Sequence, residues 1–367
     1  MHQNEIELRL SQYHDPRLGT DLITAKAVKR VHVDFDHISV DITVGYPNQG
    51  VSDEMAKSVS EWLSPVLGDK VLKLRLSSRI ESRGGKQGVP GLPNVKNIIA
   101  VASGKGGVGK STVAVNLALA LAAEGAAVGL LDADIYGPSQ PSMLATLGKK
   151  PQIENKCFVP IDSHGLKTMS IGYLVDGSAP LVWRGPMIGK AVQQMLYETS
   201  WGNLDYLIID LPPGTGDVQI TLCQKIPVSG ALIVTTPQDL ALVDVRRACE
   251  MFTNLNVPIL GVVENMSFFH CPSCGHDTQI FGAGGADKLA GEYDLTVFGS
   301  IPLDMSIREQ TDSGTPPVVH DPEGHTAGIF RDIARKAAGK LSLQTKDYSS
   351  LFPKIVVEQD NNTEQDT

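Results

Sequence analysis

Ile98-Ile-Ala-Val-Ala-Ser-Gly-Lys-Gly-Gly-Val-Gly-Lys-Ser-Thr112 is the stretch from which the rest of the chain can be read. An apolar run of β-formers gives way to a glycine loop. The loop opens an Ala/Leu/Val helix, expected over residues 112–123 and ended by Gly125. Gly104 to Ser111 fits G-x-x-x-x-G-K-[ST] in full. Gly104, Gly106, Gly107 and Gly109 let the backbone turn tightly, so that successive N–H groups, Val108 and Thr112 included, face phosphate oxygens. The positive end of the following helix adds to that field. Lys110 is placed to reach the β- and γ-phosphates of ATP, and the Ser111 hydroxyl to ligate Mg²⁺.

Lys105 follows the first glycine directly, giving Lys-Gly-Gly-Val-Gly-Lys-Ser-Thr. This resembles the deviant phosphate loop of the MinD/ParA/nitrogenase iron protein group, whose extra lysine reaches across a dimer interface to the other subunit's nucleotide. The resemblance implies a homodimer enclosing two ATP molecules. Lys105 would then stabilise phosphate charge in trans, a job comparable to that of an arginine finger. The alternative is a solvated loop lysine.

With 367 residues the chain exceeds one typical domain, so two domains plus tails are expected. An apolar share of 42% suffices for a sizeable core. The net charge of −9 argues against a nucleic-acid partner, because no basic face emerges to attract phosphates. No run approaches the roughly 18–20 apolar residues of a membrane span, and no basic-then-apolar signal segment opens the chain. No membrane partner is expected. Five cysteines, an odd number, do not read as a disulfide framework, which makes the cytoplasm the default location.

Residues 1–81 are expected to form a separate small α+β unit. Ile6, Leu8 and Leu10 lie in a polar lead-in, and Asp15-Pro-Arg-Leu-Gly19 reads as a turn. Residues 28–35 and 38–44 alternate apolar with polar, predicting a hairpin with Asp36-His37 at its tip. Residues 52–63 predict a helix capped by Ser52 and ended by Pro65, and residues 71–76 a third strand. The unit resembles the small domain shared by several iron–sulfur assembly factors, chiefly in its Asp-Pro-x-Leu-Gly turn. Many of those carry a reactive cysteine after the second strand, where this chain has Tyr46-Pro-Asn-Gln-Gly50. A docking or regulatory role is therefore expected here, not direct metal binding.

Residues 82–94 read as a Gly/Pro linker. Across residues 95–343, β-like runs at 128–132, 206–210, 231–235, 259–263 and 297–301 alternate with helical segments. Several are continuously apolar, as strands buried on both faces must be. The expected fold is a doubly wound, mainly parallel α/β sheet of P-loop NTPase type, with ligands at the carboxyl ends of its strands. A last helix is expected over residues 325–341. Residues 344–367 turn polar and acidic and read as a disordered tail.

Two aspartates follow a buried strand in Val128-Gly-Leu-Leu-Asp-Ala-Asp-Ile-Tyr-Gly-Pro-Ser139. The resemblance makes this the first switch: Asp134 orients or accepts a proton from the attacking water, and Asp132 holds the Mg²⁺ shell or the loop. Tyr206-Leu-Ile-Ile-Asp-Leu-Pro-Pro-Gly-Thr-Gly-Asp217 ends its β-like run in Asp210, which suits a carboxylate bonded to Mg²⁺-bound water. The turn after it can sense the γ-phosphate. Glu264-Asn265-Met266 follows another strand, and by resemblance Asn265 contacts the adenine.

Phe269-His-Cys-Pro-Ser-Cys-Gly-His276 carries C-x-x-C in a loop. Cys271 and Cys274 can chelate one metal or two irons of a cluster, but two thiolates are not four. No second C-x-x-C exists: Cys157, Cys223 and Cys249 are isolated. A two-fold dimer supplies the missing pair, since the same patch of each subunit meets across the axis. Taken in order, the phosphate loop, Asp-Ala-Asp-Ile-Tyr-Gly-Pro-Ser, Trp183-Arg-Gly-Pro-Met187, Asp-Leu-Pro-Pro-Gly-Thr-Gly-Asp, Val-Glu-Asn-Met-Ser and Cys-Pro-x-Cys-Gly resemble the Mrp/ApbC family of ATP-dependent iron–sulfur cluster carriers. The resemblance covers most of residues 95–320. It implies a [4Fe–4S] cluster held by Cys271 and Cys274 of two protomers, received from scaffold proteins and delivered to apo-proteins. It also implies slow ATP hydrolysis. Arg184 is assigned only a place near the dimer seam. Other readings stay open: zinc held by Cys271, Cys274 and His270 or His276; a Cys271–Cys274 redox disulfide; and a MinD/ParA-like positioning ATPase, although the acidic C-terminus is not a basic membrane-binding helix.

Overall fold

The continuously apolar runs have no polar side to offer to water, so they can be accommodated only between two covering layers. The computed structural model, which describes residues 3–84, 89–175 and 185–345, places them there. Strands β4 (Val95–Ala102), β5 (Val128–Asp132), β8 (Leu204–Asp210), β9 (Gly230–Thr235), β10 (Ile259–Glu264) and β13 (Val297–Ser300) run parallel in one sheet. Two further strands, β6 (Ile161–Ser163) and β7 (Leu166–Ser170), complete it in the order β6-β7-β5-β8-β4-β9-β10-β13. Only β6 is antiparallel to its neighbour.

Alternate residues of each strand feed opposite cores. Ile99, Val101, Leu130 and Ile208 pack with helices α3 (Lys110–Ala123) and α11 (His325–Ser342). Ile98, Ala100, Leu131 and Ile209 pack on the other side with α5 (Gly185–Tyr197), α6 (Asp217–Lys225) and α7 (Asp239–Asn254). Asp132, Asp210 and Glu264 all terminate strands at the same carboxyl edge.

The small unit has α1 (Gln3–Leu10), β1 (Val28–Val33), β2 (His37–Val44), α2 (Ser52–Leu63) and β3 (Val71–Ser78). The predicted hairpin forms antiparallel, and β3 joins β2 in parallel. Several expectations are corrected. The lead-in, for which no element was predicted, is a helix that buries Ile6 and Leu10, four residues apart, and exposes Leu8. Ser52 does not cap α2: a 3₁₀ turn over Gln49–Val51 runs straight into the helix, so Ser52 already has helical dihedrals. The phosphate-loop helix begins at Lys110, not at residue 112, because the loop closes at Gly109. The β6–β7 hairpin was not anticipated. The linker is pinned at its start, where the Arg83 N–H donates to Asn97 Oδ1 at 3.1 Å and the Arg83 guanidinium donates to the Gln344 carbonyl at 2.9 Å. Of the expected tail, Gln344 and Thr345 are described and hydrogen-bonded; residues 346–367, residues 85–88 of the linker, Trp183 and Arg184 lie outside the described residues.

The small unit does not pack apart from the large one. Its core residues join a single apolar cluster with α3 and α11. At the seam, Glu124 at the end of the phosphate-loop helix is buried and accepts from Arg331 Nε at 2.8 Å, Arg335 Nη2 at 2.7 Å and the Gly50 N–H at 3.0 Å. Burial pushes its carboxyl up, but the Arg335 and Arg331 hydrogen bonds outweigh that and hold it below the usual glutamate range. Glu124→Ala leaves two half-enclosed guanidinium groups without their anion and is expected to lower unfolding free energy by about 3–5 kcal/mol. Because the folded value is depressed, this stabilisation is complete above the ordinary glutamate value of about 4.3 and is lost as pH falls through the lower one. A urea melt of the variant overlaying that of the wild type would remove Glu124 from the seam.

Candidate functional site

The glycines of the loop are needed for reasons the geometry makes specific. A Cβ on Gly104 would stand 2.3 Å from the Asp244 carbonyl carbon, and Gly109 has φ +80° with its Cβ position 2.1 Å from Asn265 Nδ2. The loop thus lies against α7 on one side and the segment after β10 on the other. Asn265 Nδ2 donates to the Val108 carbonyl at 2.9 Å, so this residue grips the phosphate loop itself. The Ser103 hydroxyl donates to the Lys105 carbonyl at 2.9 Å.

Parallel pairing sets Asp210 opposite Asp132 at the ends of β8 and β5, while β4 delivers the loop next to them. Lys110, the first residue of α3, is buried and forms a close ion pair with Asp210. Its ammonium also stands 3.6 Å from Asp134 Oδ2 and 3.3 Å from Ser111 Oγ. Asp132 is fully buried and accepts from the Asp134 N–H at 3.1 Å, the Gln140 N–H at 3.2 Å and Ser170 Oγ at 3.0 Å. Burial raises its carboxyl well above the usual range, and Asp210 adds to the rise. Burial also raises Asp134, against the pull of Lys110 and with repulsion from Asp210. Three carboxylates and one ammonium are thus crowded beside the glycine loop. Of these groups, the Ser111 hydroxyl and the Asp210 carboxylate are oxygen donors of the kind a hard divalent cation takes.

Lys105 lies apart from that cluster. It is half-buried, and its ammonium donates to Gln238 Oε1 at 3.4 Å. Sequence reasoning missed Gln238, which precedes α7, and Ser170, which ends β7. It also missed Gln140, whose Nε2 donates to Asp210 Oδ2 at 2.9 Å and to the Ser111 carbonyl at 3.1 Å. Gln140 begins a short helix, α4 (Gln140–Met143), directly after the expected switch sequence, and that position was its only signal.

The cysteine pair stands on a second, separate feature. Strands β11 (Phe269–His270) and β12 (Asp277–Thr278) form a small antiparallel ribbon with Cys271 and Cys274 in its turn. The Gly275 N–H donates to the Cys271 carbonyl at 2.9 Å, and the Cys271 N–H to the His276 carbonyl at 3.0 Å. Cys271 is half-buried and Cys274 exposed. The Ser273 and Cys274 N–H groups, with the Cys274 thiol, hold the Cys271 thiol below its ordinary value and favour the thiolate. His270 Nδ1 is engaged by Asp277 Oδ1 at 2.7 Å. Among the described residues, no group of three or more His, Cys, Asp or Glu side chains could hold a metal ion. The ribbon follows Asn265 by a few residues, so the segment that grips the phosphate loop also leads to the thiols.

Among the described residues, no helix is long and apolar enough to cross a membrane. Residues 94–338 match a family described as NUBPL iron-transfer P-loop NTPase, and residues 3–73 match iron–sulfur cluster assembly protein. The chain is 49% identical over 336 residues to the iron–sulfur cluster carrier protein of Escherichia coli K12, covering 91% of each. It is 52% identical over 266 residues to the iron–sulfur cluster transfer protein NUBPL of Mus musculus, covering 72% of this chain and 83% of that one. A nucleotide-binding protein of Archaeoglobus fulgidus, solved in complex with ADP, is 39% identical with a TM-score of 0.57, covering 65% of this chain and 93% of that one.

Proposed function

This chain belongs to the NUBPL iron-transfer P-loop NTPase family, and on that premise we propose that it is a cytoplasmic, homodimeric, ATP-dependent carrier of a [4Fe–4S] cluster. One observation carries the reading. The chain presents one exposed and one half-buried thiol, the latter biased toward the thiolate, in a turn where no third ligand among the described residues joins them. That is half of a four-thiolate site, and a two-fold axis through the ribbon completes it with the same pair from a second copy. The cargo then sits at a subunit seam, from which it can pass from scaffold to apo-protein when the seam opens.

In the ATPase site, Gly104 to Thr112 cradle the phosphates, with Lys110 on the β- and γ-oxygens and Asn265 beside the base. Ser111 and Asp210 hold Mg²⁺, which neutralises phosphate charge, and Asp132 fixes the switch loop through its three hydrogen bonds. Asp134, raised by burial, accepts a proton from the attacking water. Slow hydrolysis in such a site reports occupancy and sets when the dimer holds its cargo.

Lys105 completes the partner's site. Its link to Gln238 is long at 3.4 Å, so little is lost when the lysine swings across the seam. Lys105→Ala is expected to leave ATP affinity within a few-fold of wild type while hydrolysis falls by about a hundredfold or more. Turnover at the wild-type rate would rule out a role in trans. The function as a whole is tested by anaerobic reconstitution, with iron, zinc and sulfide quantified per dimer, followed by transfer to an apo-protein. Four irons and four sulfides per dimer, then transferred, are expected. Zinc without sulfide would overturn the carrier reading.

A further inference from the structure

Gln140 stands in the middle of the nucleotide site with one half of its amide used and the other half not. Its side chain is 1% exposed. Both groups around Nε2 are obligate acceptors, the Asp210 carboxylate at 2.9 Å and the Ser111 carbonyl at 3.1 Å, so the nitrogen must face them and the amide orientation is forced. Oε1 is left buried and makes no hydrogen bond among the described residues. The neighbouring Ser139 hydroxyl is buried and without a hydrogen bond as well, so two adjacent polar atoms of one segment are left over. Buried acceptors in native chains rarely go without a donor.

Among the described residues no donor reaches Oε1, the Ser139 hydroxyl included. The nearby carboxylates and the Ser111 carbonyl only accept, and the Lys110 ammonium is engaged by Asp210, Asp134 and Ser111. The phosphates expected on the loop only accept too. What arrives at Ser111 and Asp210 with a nucleotide and does donate is water held in the shell of a magnesium ion, whose hydrogens are polarised by the metal. We infer that Gln140 is a positioning residue of the nucleotide site: its N–H groups fix Asp210 and the Ser111 backbone, and its carbonyl oxygen accepts from a magnesium-bound water. Through it, the chain distinguishes magnesium-bound nucleotide from metal-free nucleotide. The Gln140 backbone N–H donates to Asp132 Oδ2 and ties the same residue to the switch loop, so metal recognition and loop position are joined in one residue.

This inference rests on the nucleotide-site reading above, and its test separates the two. ATP affinity is measured by calorimetry on the full-length protein, once in EDTA and once in excess magnesium, for wild type, Gln140→Leu and Gln140→Asn. Leucine nearly preserves volume and removes both polar atoms, while asparagine keeps the amide but is one methylene short. Thermal unfolding of each variant is recorded alongside. The expected result is affinity in EDTA within about twofold of wild type and a magnesium-dependent gain reduced by about tenfold in both variants, the worth of one charge-assisted hydrogen bond. A full wild-type magnesium gain in either folded variant overturns the proposal. An equal loss of affinity with and without magnesium also overturns it, since that is what a merely structural residue or an ordinary water would give. Failure of the wild-type chain to bind ATP in either condition would instead sink the nucleotide reading, and this inference with it.

Discussion

Lys110→Ala is expected to abolish measurable ATP binding, a loss of at least about a hundredfold, because two or more charge-assisted hydrogen bonds to phosphate go with the ammonium. The same substitution has a second consequence that the packing makes specific. Asp210 is 0% exposed, and Lys110 is its ion partner. Removing the lysine leaves the carboxylate buried with Asp132 opposite it, so folding stability should fall by about 3 kcal/mol or more. The two effects separate in the double variant. Lys110→Ala with Asp210→Asn removes the stranded charge and should recover most of the stability, while ATP binding stays lost. Calorimetric titration together with chemical denaturation of the wild type and the two variants checks both. Intact ATP affinity in Lys110→Ala would refute the assignment of the loop, and a single variant as stable as wild type would refute the ion pair's structural role.

Cys271→Ala is expected to eliminate the visible absorbance of the anaerobically reconstituted protein and to bring iron and sulfide per dimer close to zero. A symmetric site loses two of its four ligands with each single substitution, and two thiolates do not hold a cubane cluster. Cys274→Ala should do the same. Cys249 is the internal control: it is buried within α7, and burial pushes its thiol up to about 11, so it offers no thiolate near neutral pH. Cys249→Ala should therefore reconstitute as the wild type does. A cluster retained by Cys271→Ala would move the ligands elsewhere in the chain.

The comparisons bear out the family, the fold type and the carrier reading drawn from a handful of short motifs. Those motifs were legible because each places a backbone demand on very few residues. A loop that must turn its N–H groups inward needs glycine at fixed intervals, and a strand buried on both faces must be apolar throughout. Hence β5 is found at Val128–Asp132 as expected, and α11 ends one residue beyond its expected limit. The β6–β7 hairpin escaped notice because Ile161–Ser163 and Leu166–Ser170 are too short and mixed to show a period. The expected cap at Ser52 failed for a related reason: the 3₁₀ turn before it leaves no trace in composition.

The proposed chemistry of the site is written locally, in contiguous words such as Lys-Gly-Gly-Val-Gly-Lys-Ser-Thr and Cys-Pro-Ser-Cys-Gly, since the ligands proposed for phosphate and for the cluster lie close together in the chain. What no local word contained was who neutralises whom. Asp210 meets Lys110 and Gln140 only because three parallel strands end at one level, 100 and 70 residues apart in sequence. Likewise Glu124 meets Arg331 and Arg335, across 207 and 211 residues, only because α11 lies along α3. Turns and ligand loops are short-range geometry and so are visible in sequence. The balance of buried charge is long-range, set by which elements pack together, and had to await the folded chain.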